Sequence, residues 1–312
     1  MKKIQQKSTI VQSSPTIVTI GTFDGVHLGH QEIIKKLVVQ AEEYDLTPTL
    51  LTFFPHPRMV LQQDANIKLI NTLEEKRQLL EKIGLKNLVV YPFTREFSRM
   101  TALDFVRDVL VNKVKVKKLI VGYDHRFGRN RTANIEDLKD FGQIYDFEVE
   151  QISAKEVDEV SVSSTKIRNA LMEGDIKKAN SYLGYAFMLN GKVIKGNALG
   201  REIDYPTANI HIAEEYKLIP MDGVYVIKST IGDNQLFGMM NIGNKPTVGG
   251  RSRSVEVHFF DFDGSLYEQH LTIEMLHRLR EERKFDSVDD LKIQLSKDKQ
   301  KALNYIEKND VG

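Results

Sequence analysis

Two histidines stand three residues apart in the run Gly21-Thr22-Phe23-Asp24-Gly25-Val26-His27-Leu28-Gly29-His30. An apolar β-branched run precedes it (Ile17, Val18, Ile20) and an amphipathic one follows (Ile33, Ile34, Leu37, Val38, Ala41). A strand, a glycine-rich turn and a helix N-terminus therefore meet at the imidazoles. Helix N-termini offer unpaired N–H groups and a partial positive charge, which suit phosphate. Gly21, Gly25 and Gly29 let a bulky anion come close to the backbone. Imidazoles one helical turn apart face the same ligand. These residue types at this spacing read as a nucleotide site.

Other segments carry chemistry-bearing residue types. Ser163-Ser164-Thr165-Lys166-Ile167-Arg168 opens a helical pattern. Its hydroxyls and its two cations one turn inside make a second phosphate cradle, or else an ordinary capped helix with a solvated basic face. From Gly122 to Arg131 the chain leaves an apolar run, with the carboxylate of Asp124 just after it. Arg126, Arg129 and Arg131 add positive charge there, or form a loop of solvated arginines. In Phe53-Phe54-Pro55-His56-Pro57-Arg58 the prolines stiffen the loop around His56. The aromatic pair can back a planar ring, with one phenylalanine turned to the core. Pro206-Thr207-Ala208-Asn209 sets a hydroxyl and an amide carbonyl on one face of an extended segment, hard oxygen ligands for Mg²⁺. In Val255-Glu256-Val257-His258-Phe259 the apolar residues take one face and Glu256 and His258 the other. Inside a small barrel that second face lines a site; otherwise it is a solvent-facing stripe.

These residues need elements to hold them. Strand-like runs at 16–20, 48–54, 87–91, 117–122 and 146–152 alternate with helical patterns at 30–44, 72–83, 101–112 and 134–142. Thr72 with Glu75, Thr101 with Asp104 and Asn134 with Asp137 read as helix starts, and Gly84 as a stop. Such alternation predicts a parallel sheet covered on both faces, with ligands at the carboxyl ends of its strands. Two short helices follow at 164–173 and 175–183, ending at Gly184. From 186 to 275 short alternating runs (Phe187–Val193, Val224–Ile227, Leu236–Met240, Val255–Phe260, Leu266–Ile273) are separated by turn signals, which predicts an antiparallel barrel or sandwich. A helix at 287–308 closes the series, and the domain boundary falls near 184–186.

The chain has 312 residues, enough for two cores. Lys plus Arg number 44 against 43 for Asp plus Glu, which argues against a nucleic-acid coat protein. An RNA-binding reading would rest on Arg126 to Arg131 alone. There is no cysteine, so neither a disulfide framework nor thiolate chemistry is available. Lys2, Lys3 and Lys7 are not followed by an apolar run, and no stretch approaches the roughly 20 apolar residues of a bilayer span. The expectation is a cytoplasmic protein without membrane or nucleic-acid partners.

The order and spacing of these segments, with Asp222-Gly223-Val224-Tyr225 and Asn241-Ile242-Gly243-Asn244-Lys245-Pro246-Thr247, resemble the prokaryotic bifunctional riboflavin kinase/FAD synthetase family from about Ile17 to Tyr305. His27-Leu28-Gly29-His30 is similar to the HxGH signature of nucleotidyltransferases. The resemblance implies an α/β plus all-β chain: a Rossmann-like FMN adenylyltransferase domain at 1–184, then a small antiparallel β-barrel riboflavin kinase domain at 185–312 with a C-terminal helix. It implies phosphorylation of riboflavin by ATP to FMN, and adenylylation of FMN by ATP to FAD and pyrophosphate, both with Mg²⁺. Partners would be riboflavin, FMN and ATP, and the assembly a monomer or weak homo-oligomer.

Residue by residue, it implies that His27 and His30 contact ATP phosphates. Gly21, Phe23, Asp24 and Gly29 shape that cradle, and Ser164, Thr165 and Arg168 close on the β- and γ-phosphates. Phe54, Pro55, His56, Pro57 and Asp124 would lie on the flavin side. Thr207 and Asn209 would hold Mg²⁺, and Glu256 would take the proton of the ribityl hydroxyl. The Gly191-to-Gly196 loop and the Asn241-to-Thr247 segment would give backbone donors, and Arg280 would cover the flavin or lie on a solvated helix face. The chain departs from the family at His125 (usually Phe), Ala133 (usually Gly), Ile203-Asp204-Tyr205 (usually Leu-Gly-Phe) and Glu268 (usually Gly). Asp204 brings negative charge toward the phosphate and metal site. Two alternatives therefore stand beside the bifunctional reading: an FAD synthetase with a silent kinase half, and a non-catalytic flavin- or nucleotide-sensing module.

Overall fold

All five residues of β1 (Thr16–Ile20) are buried, as expected of a β-branched strand with a parallel neighbour on each side and helices over both faces. The computed structural model describes residues 12–62, 67–122, 126–152, 162–196, 203, 205–247 and 250–309. It divides into two compact units, Met1–Leu69 with Leu73–Ser163, and Ile70–Thr72 with Ser164–Gly312. The sequence changes character near 184–186, whereas packing groups the helices of 164–183 with the second unit.

In the first unit β1, β2 (Thr47–Phe54), β3 (Asn87–Pro92), β4 (Val116–Gly122) and β5 (Glu148–Ile152) form one parallel sheet in the order β3-β2-β1-β4-β5. The helices are α1 (Leu28–Glu43), α2 (Pro57–Leu61), α3 (Leu73–Lys82), α4 (Ala102–Asp104) and α5 (Ile135–Tyr145). Asn134 and Asp137 form a complete capping box at α5, and the Thr101 hydroxyl accepts the Asp104 N–H at α4. The helix expected over 101–112 starts as α and continues as a wider π-helical coil, Phe105–Val111, which buries Phe105, Val106, Val109 and Leu110. The strand expected from 146 begins at 148, because Asp146 takes a left-handed conformation to end α5.

In the second unit come α6 (Ser164–Met172) and α7 (Ile176–Leu183), which ends at left-handed Gly184. There follow β6 (Met188–Ile194), β7 (Ala208–His211), β8 (Gly223–Ile231), β9 (Asn234–Thr247), β10 (Gly250–Phe259) and β11 (His270–Arg280). The six close into a barrel in the order β10-β7-β6-β11-β8-β9. Its packed interior includes Tyr225, Ile227, Met240, Ile242, Val255, Val257, Ile273 and Met275. On the outer face α8 (Val288–Lys308) lies over Val224, Val226, Met239 and Leu276 through Ala302, Leu295 and Ile306. The last strand was expected at 266–273 but spans 270–280, since residues around Glu268 are spent on a turn. Residues 70–72 join this unit through the buried Lys217 ammonium, which donates to the Ile70 carbonyl, and through Asn71 on the Tyr185 hydroxyl.

Candidate active sites

The order β3-β2-β1-β4-β5 reverses direction between β1 and β4, and such a switch point opens a crevice at the strand carboxyl ends. The turn of residues 21–27 leaves β1 at that crevice, and Gly122 ends β4 beside it. The turn is strained. Gly25 sits at φ 92°, where glycine is at ease, but Phe23 and Val26 also take positive φ, 45° and 36°. Each such non-glycine residue costs on the order of 1–2 kcal/mol. The Thr22 carbonyl anchors the turn: it accepts the Thr52 hydroxyl at 3.3 Å and the Lys76 ammonium at 2.6 Å.

His27 is the N-cap of α1 and His30 lies in its first turn. Their rings stack at 3.6 Å, and Phe23 stacks on His30 at 4.5 Å. Burial holds His27 down to about 4, against the raising influence of Asp24. His30 is also held well below the ordinary histidine range, first by burial and then by His27 and Lys76. Both rings are therefore neutral at pH 7, and the Nδ1 atom of each is buried with no hydrogen-bond partner. Orphaned buried nitrogens of this kind are rare and cost about 1–3 kcal/mol each. At a helix N-terminus in a ligand crevice, an anion with several oxygens is the partner that recovers the loss. Asp24 is buried in the same turn, and Gly21 and Gly29 flank it, each facing an aromatic ring of the turn.

Sequence reasoning missed Lys76, which reads as one more cation on a charged helix. It lies on the buried face of α3 and is almost without solvent contact. Burial lowers it to about 8, with Asp24 raising it.

Phe54 ends β2, and Pro55-His56-Pro57 leads into α2, where the His56 Nδ1 accepts the Arg58 N–H at 3.2 Å. Phe53 turns into an aromatic cluster with Phe93 and Phe97, which extends to Tyr91, so one phenylalanine of the pair is core as expected. Arg126 and Arg129 are exposed; Tyr123, Asp124 and His125 lie outside the described residues. Ser164 opens α6 as expected, with Thr165 exposed and Arg168 half-buried one turn in.

In the barrel, strand register gathers the second set. Glu256 of β10 is directly opposite Asn209 of β7 and Asn241 of β9. Cross-strand partners share a face, so these three side chains form a row. That row continues to Val224, which lies under α8, so of the two faces that the alternation left open Glu256 takes the outer one. The interior belongs to Val255 and Val257. The Ser254 hydroxyl reaches Glu256 at 3.3 Å, and the His258 Nδ1 pairs with the Pro206 carbonyl at 2.9 Å. Burial lowers the His258 pKa. Thr207 immediately precedes β7, two residues from Asn209. Gly196 packs against the Asn209 amide so closely that a Cβ would overlap it, and a Cβ on Gly243 would overlap the Glu282 carboxylate beside Asn241.

Three expectations change here. Gly191 lies inside β6, opposite Leu271, so the loop begins only after Ile194. Asn241 and Ile242 are laddered to β8 on one side and β10 on the other, so their backbone groups are spent on strands and Asn241 offers its side chain. Arg280 donates from Nε and Nη2, at 2.9 and 2.8 Å, to one oxygen (Oδ2) of the fully buried Asp298 of α8, which ties β11 to that helix. Glu268, in place of the family's glycine, sits at φ 67° in a turn and pairs with Lys192. Asp204 and residues 197–202 lie outside the described residues.

Two family models match the chain, FAD synthetase over residues 9–166 and riboflavin kinase over residues 183–306. A bifunctional riboflavin kinase/FMN adenylyltransferase of Haemophilus influenzae is 38% identical over 92% of this chain and 93% of its own length. One of Bacillus subtilis is 35% identical over 94% of this chain and 93% of its own. A solved structure described as a macrolide-efflux protein from Streptococcus pneumoniae is 32% identical, with a TM-score of 0.82 over 95% of this chain and 96% of that one. The efflux description concerns that protein; among the described residues here, no helix is long and apolar enough to cross a membrane.

Proposed function

This chain belongs to the bifunctional riboflavin kinase/FMN adenylyltransferase family, and from that premise we propose how its own residues divide the two transfers. The enzyme moves the γ-phosphoryl group of ATP to riboflavin, giving FMN, and the adenylyl group of a second ATP to FMN, giving FAD and pyrophosphate. We assign adenylylation to residues 1–184 and riboflavin phosphorylation to residues 185–312.

In adenylylation an FMN phosphate oxygen attacks the α-phosphorus of ATP while the bond to the bridging oxygen of pyrophosphate breaks. The attacking group is already an anion, so no general base is required. His27, His30 and the first N–H groups of α1 hold the triphosphate in line and take up charge as pyrophosphate leaves. Ser164, Thr165 and Arg168, at the start of α6, are phosphate donors in this reading. Phe54, Pro55, His56 and Pro57 take the flavin side, with Asp124 on the ribose or flavin. The stacked imidazoles with orphaned Nδ1 atoms at the switch point carry this reading.

In phosphorylation Glu256 takes the proton of the ribityl terminal hydroxyl as its oxygen attacks the γ-phosphorus and ADP departs. Asn241 orients the flavin. Thr207 and Asn209 are the residues that would hold Mg²⁺, whose chemistry when bound is charge neutralisation on the phosphates. Their hydroxyl and amide oxygens are hard donors, and Gly196, without a Cβ, lets the Asn209 amide take its place there. The cysteine-free composition fits a cytoplasmic enzyme, working as a monomer or weak homo-oligomer.

The test is incubation with ATP and Mg²⁺ from riboflavin in one tube and from FMN in another, followed by chromatography of the flavins. FAD from both tubes is expected. FAD from the FMN tube alone would remove the assignment of Glu256, and product from neither would remove both assignments.

A further inference from the structure

Lys76 is unused by the chemistry above, yet it is buried at the centre of the first site. On α3 Glu75 is buried as well, while Arg77 turns outward and pairs with Glu74 and Glu81. Lys76 instead shares the buried face with Leu79 and Leu80. Its ammonium donates to the Thr22 carbonyl at 2.6 Å, the same oxygen that the Thr52 hydroxyl reaches. Lysine is among the residues least often buried, because the ammonium gives up strong hydration. Here a strained stretch, with Phe23 and Val26 at positive φ, begins at the peptide it holds. The charged or titratable groups that bear on it and on the imidazoles are Asp24, His27 and His30.

We propose that Lys76 is a positioning residue for adenylylation. It fixes the Thr22 peptide, and with it the turn that aims His27 and His30, and its charge adds to the burial and the His27 ring that disfavour a proton on His30. The proposal rests on the adenylylation reading of the first unit. It adds a requirement that this reading does not contain: the His30 ring must sense the charge on a helix 46 residues further along the chain.

The experiment compares full-length Lys76→Met, Lys76→Gln and Lys76→Arg with the parent enzyme, using riboflavin phosphorylation in the same preparations as the folding reference. For FMN adenylylation, kcat, the KM for ATP and the pH profile of kcat/KM are measured. Lys76→Met is expected to lower kcat by about 100-fold, the scale of a misplaced catalytic group, with riboflavin phosphorylation retained. The acid limb of its profile should move to higher pH, because the cation that opposes His30 protonation is gone. Lys76→Arg should restore the limb and most of kcat. Should Lys76→Met fail to accumulate, Lys76→Gln decides by its limb, since it keeps a donor and loses the charge.

Undiminished adenylylation in Lys76→Met would overturn the proposal. So would a loss with an unmoved acid limb that arginine does not repair, which would mark Lys76 as structural only. A parent enzyme that phosphorylates riboflavin but never adenylylates FMN would instead refute the underlying reading.

Discussion

In the first unit the turn places two imidazoles, a carboxylate and an ammonium out of water, and leaves two ring nitrogens unpaired. In the barrel the corresponding row, Asn209, Glu256 and Asn241, is half-buried on the outer face of a fully laddered sheet. The two constructions suit the reactions proposed for them. Adenylylation brings an anion to an anion, so it needs fixed donors in a dry place and no proton acceptor. Phosphorylation of a hydroxyl releases a proton, so its carboxylate must stay ionised and within reach of water. The first site draws on local strain and burial, and the second on register.

The strongest way to break this comparison is Glu256→Gln. It should lower FMN formation from riboflavin by about 10³-fold, within the range for losing a general base. FAD formation from added FMN should stay within about twofold, as for independent sites. A parallel loss of both activities, measured by flavin chromatography, would mean that the two sites are one. His30→Ala is the mirror experiment. FAD formation from FMN should fall by about 10²-fold, the scale of one lost donor to developing charge. Riboflavin phosphorylation should remain, and an unchanged FAD yield would strip His30 of its role.

The pH dependence of stability sharpens the contrast in burial. His27 has its folded pKa lowered to about 4 from 6.5, so its unfolded form takes up a proton first. The associated stability is complete above pH 6.5 and is lost as pH falls toward 4, to a limit of about 3 kcal/mol. Urea unfolding monitored in the first unit should show this slope, and His27→Gln should reduce it to the part that His30 contributes. The smallest effect is expected at Glu268→Gly in the barrel. Relief of the left-handed conformation is worth about 0.5–1 kcal/mol, partly offset by losing the exposed pair with Lys192. Calorimetry should show a slightly higher melting temperature with riboflavin phosphorylation unaltered. A fall in that activity would place Glu268 in the kinase site.

Much of the architecture could be read from the chain. Alternating strand and helix patterns, the capping box at Asn134 and the stop at Gly184 depend on neighbours in sequence, and each stands where expected. The histidine turn was legible for the same reason. Lys76 was not, since Leu73–Lys82 looks like a solvated helix and only packing against the turn buries one of its cations. The alternation around Glu256 separated two faces but could not say which was interior; that follows from the strand order and from α8. The departure at Glu268 looked like a threat to catalysis, yet it is a turn residue whose usual glycine answers a backbone need. Arg280 resembled a ligand-binding cation until Asp298, far along the chain, claimed it.

That last pair has a bearing on how the chain is made. Arg280 ends the final barrel strand, and its carboxylate partner follows 18 residues later. At roughly 5–20 residues per second, a ribosome adds Arg280, the end of the last strand, about one to four seconds before it adds Asp298. During that interval the guanidinium has no buried counter-charge, and the apolar face around Val224 and Leu276 has no cover. The barrel half of a nascent chain is then exposed to chaperones and to its own copies in a way that the finished protein is not.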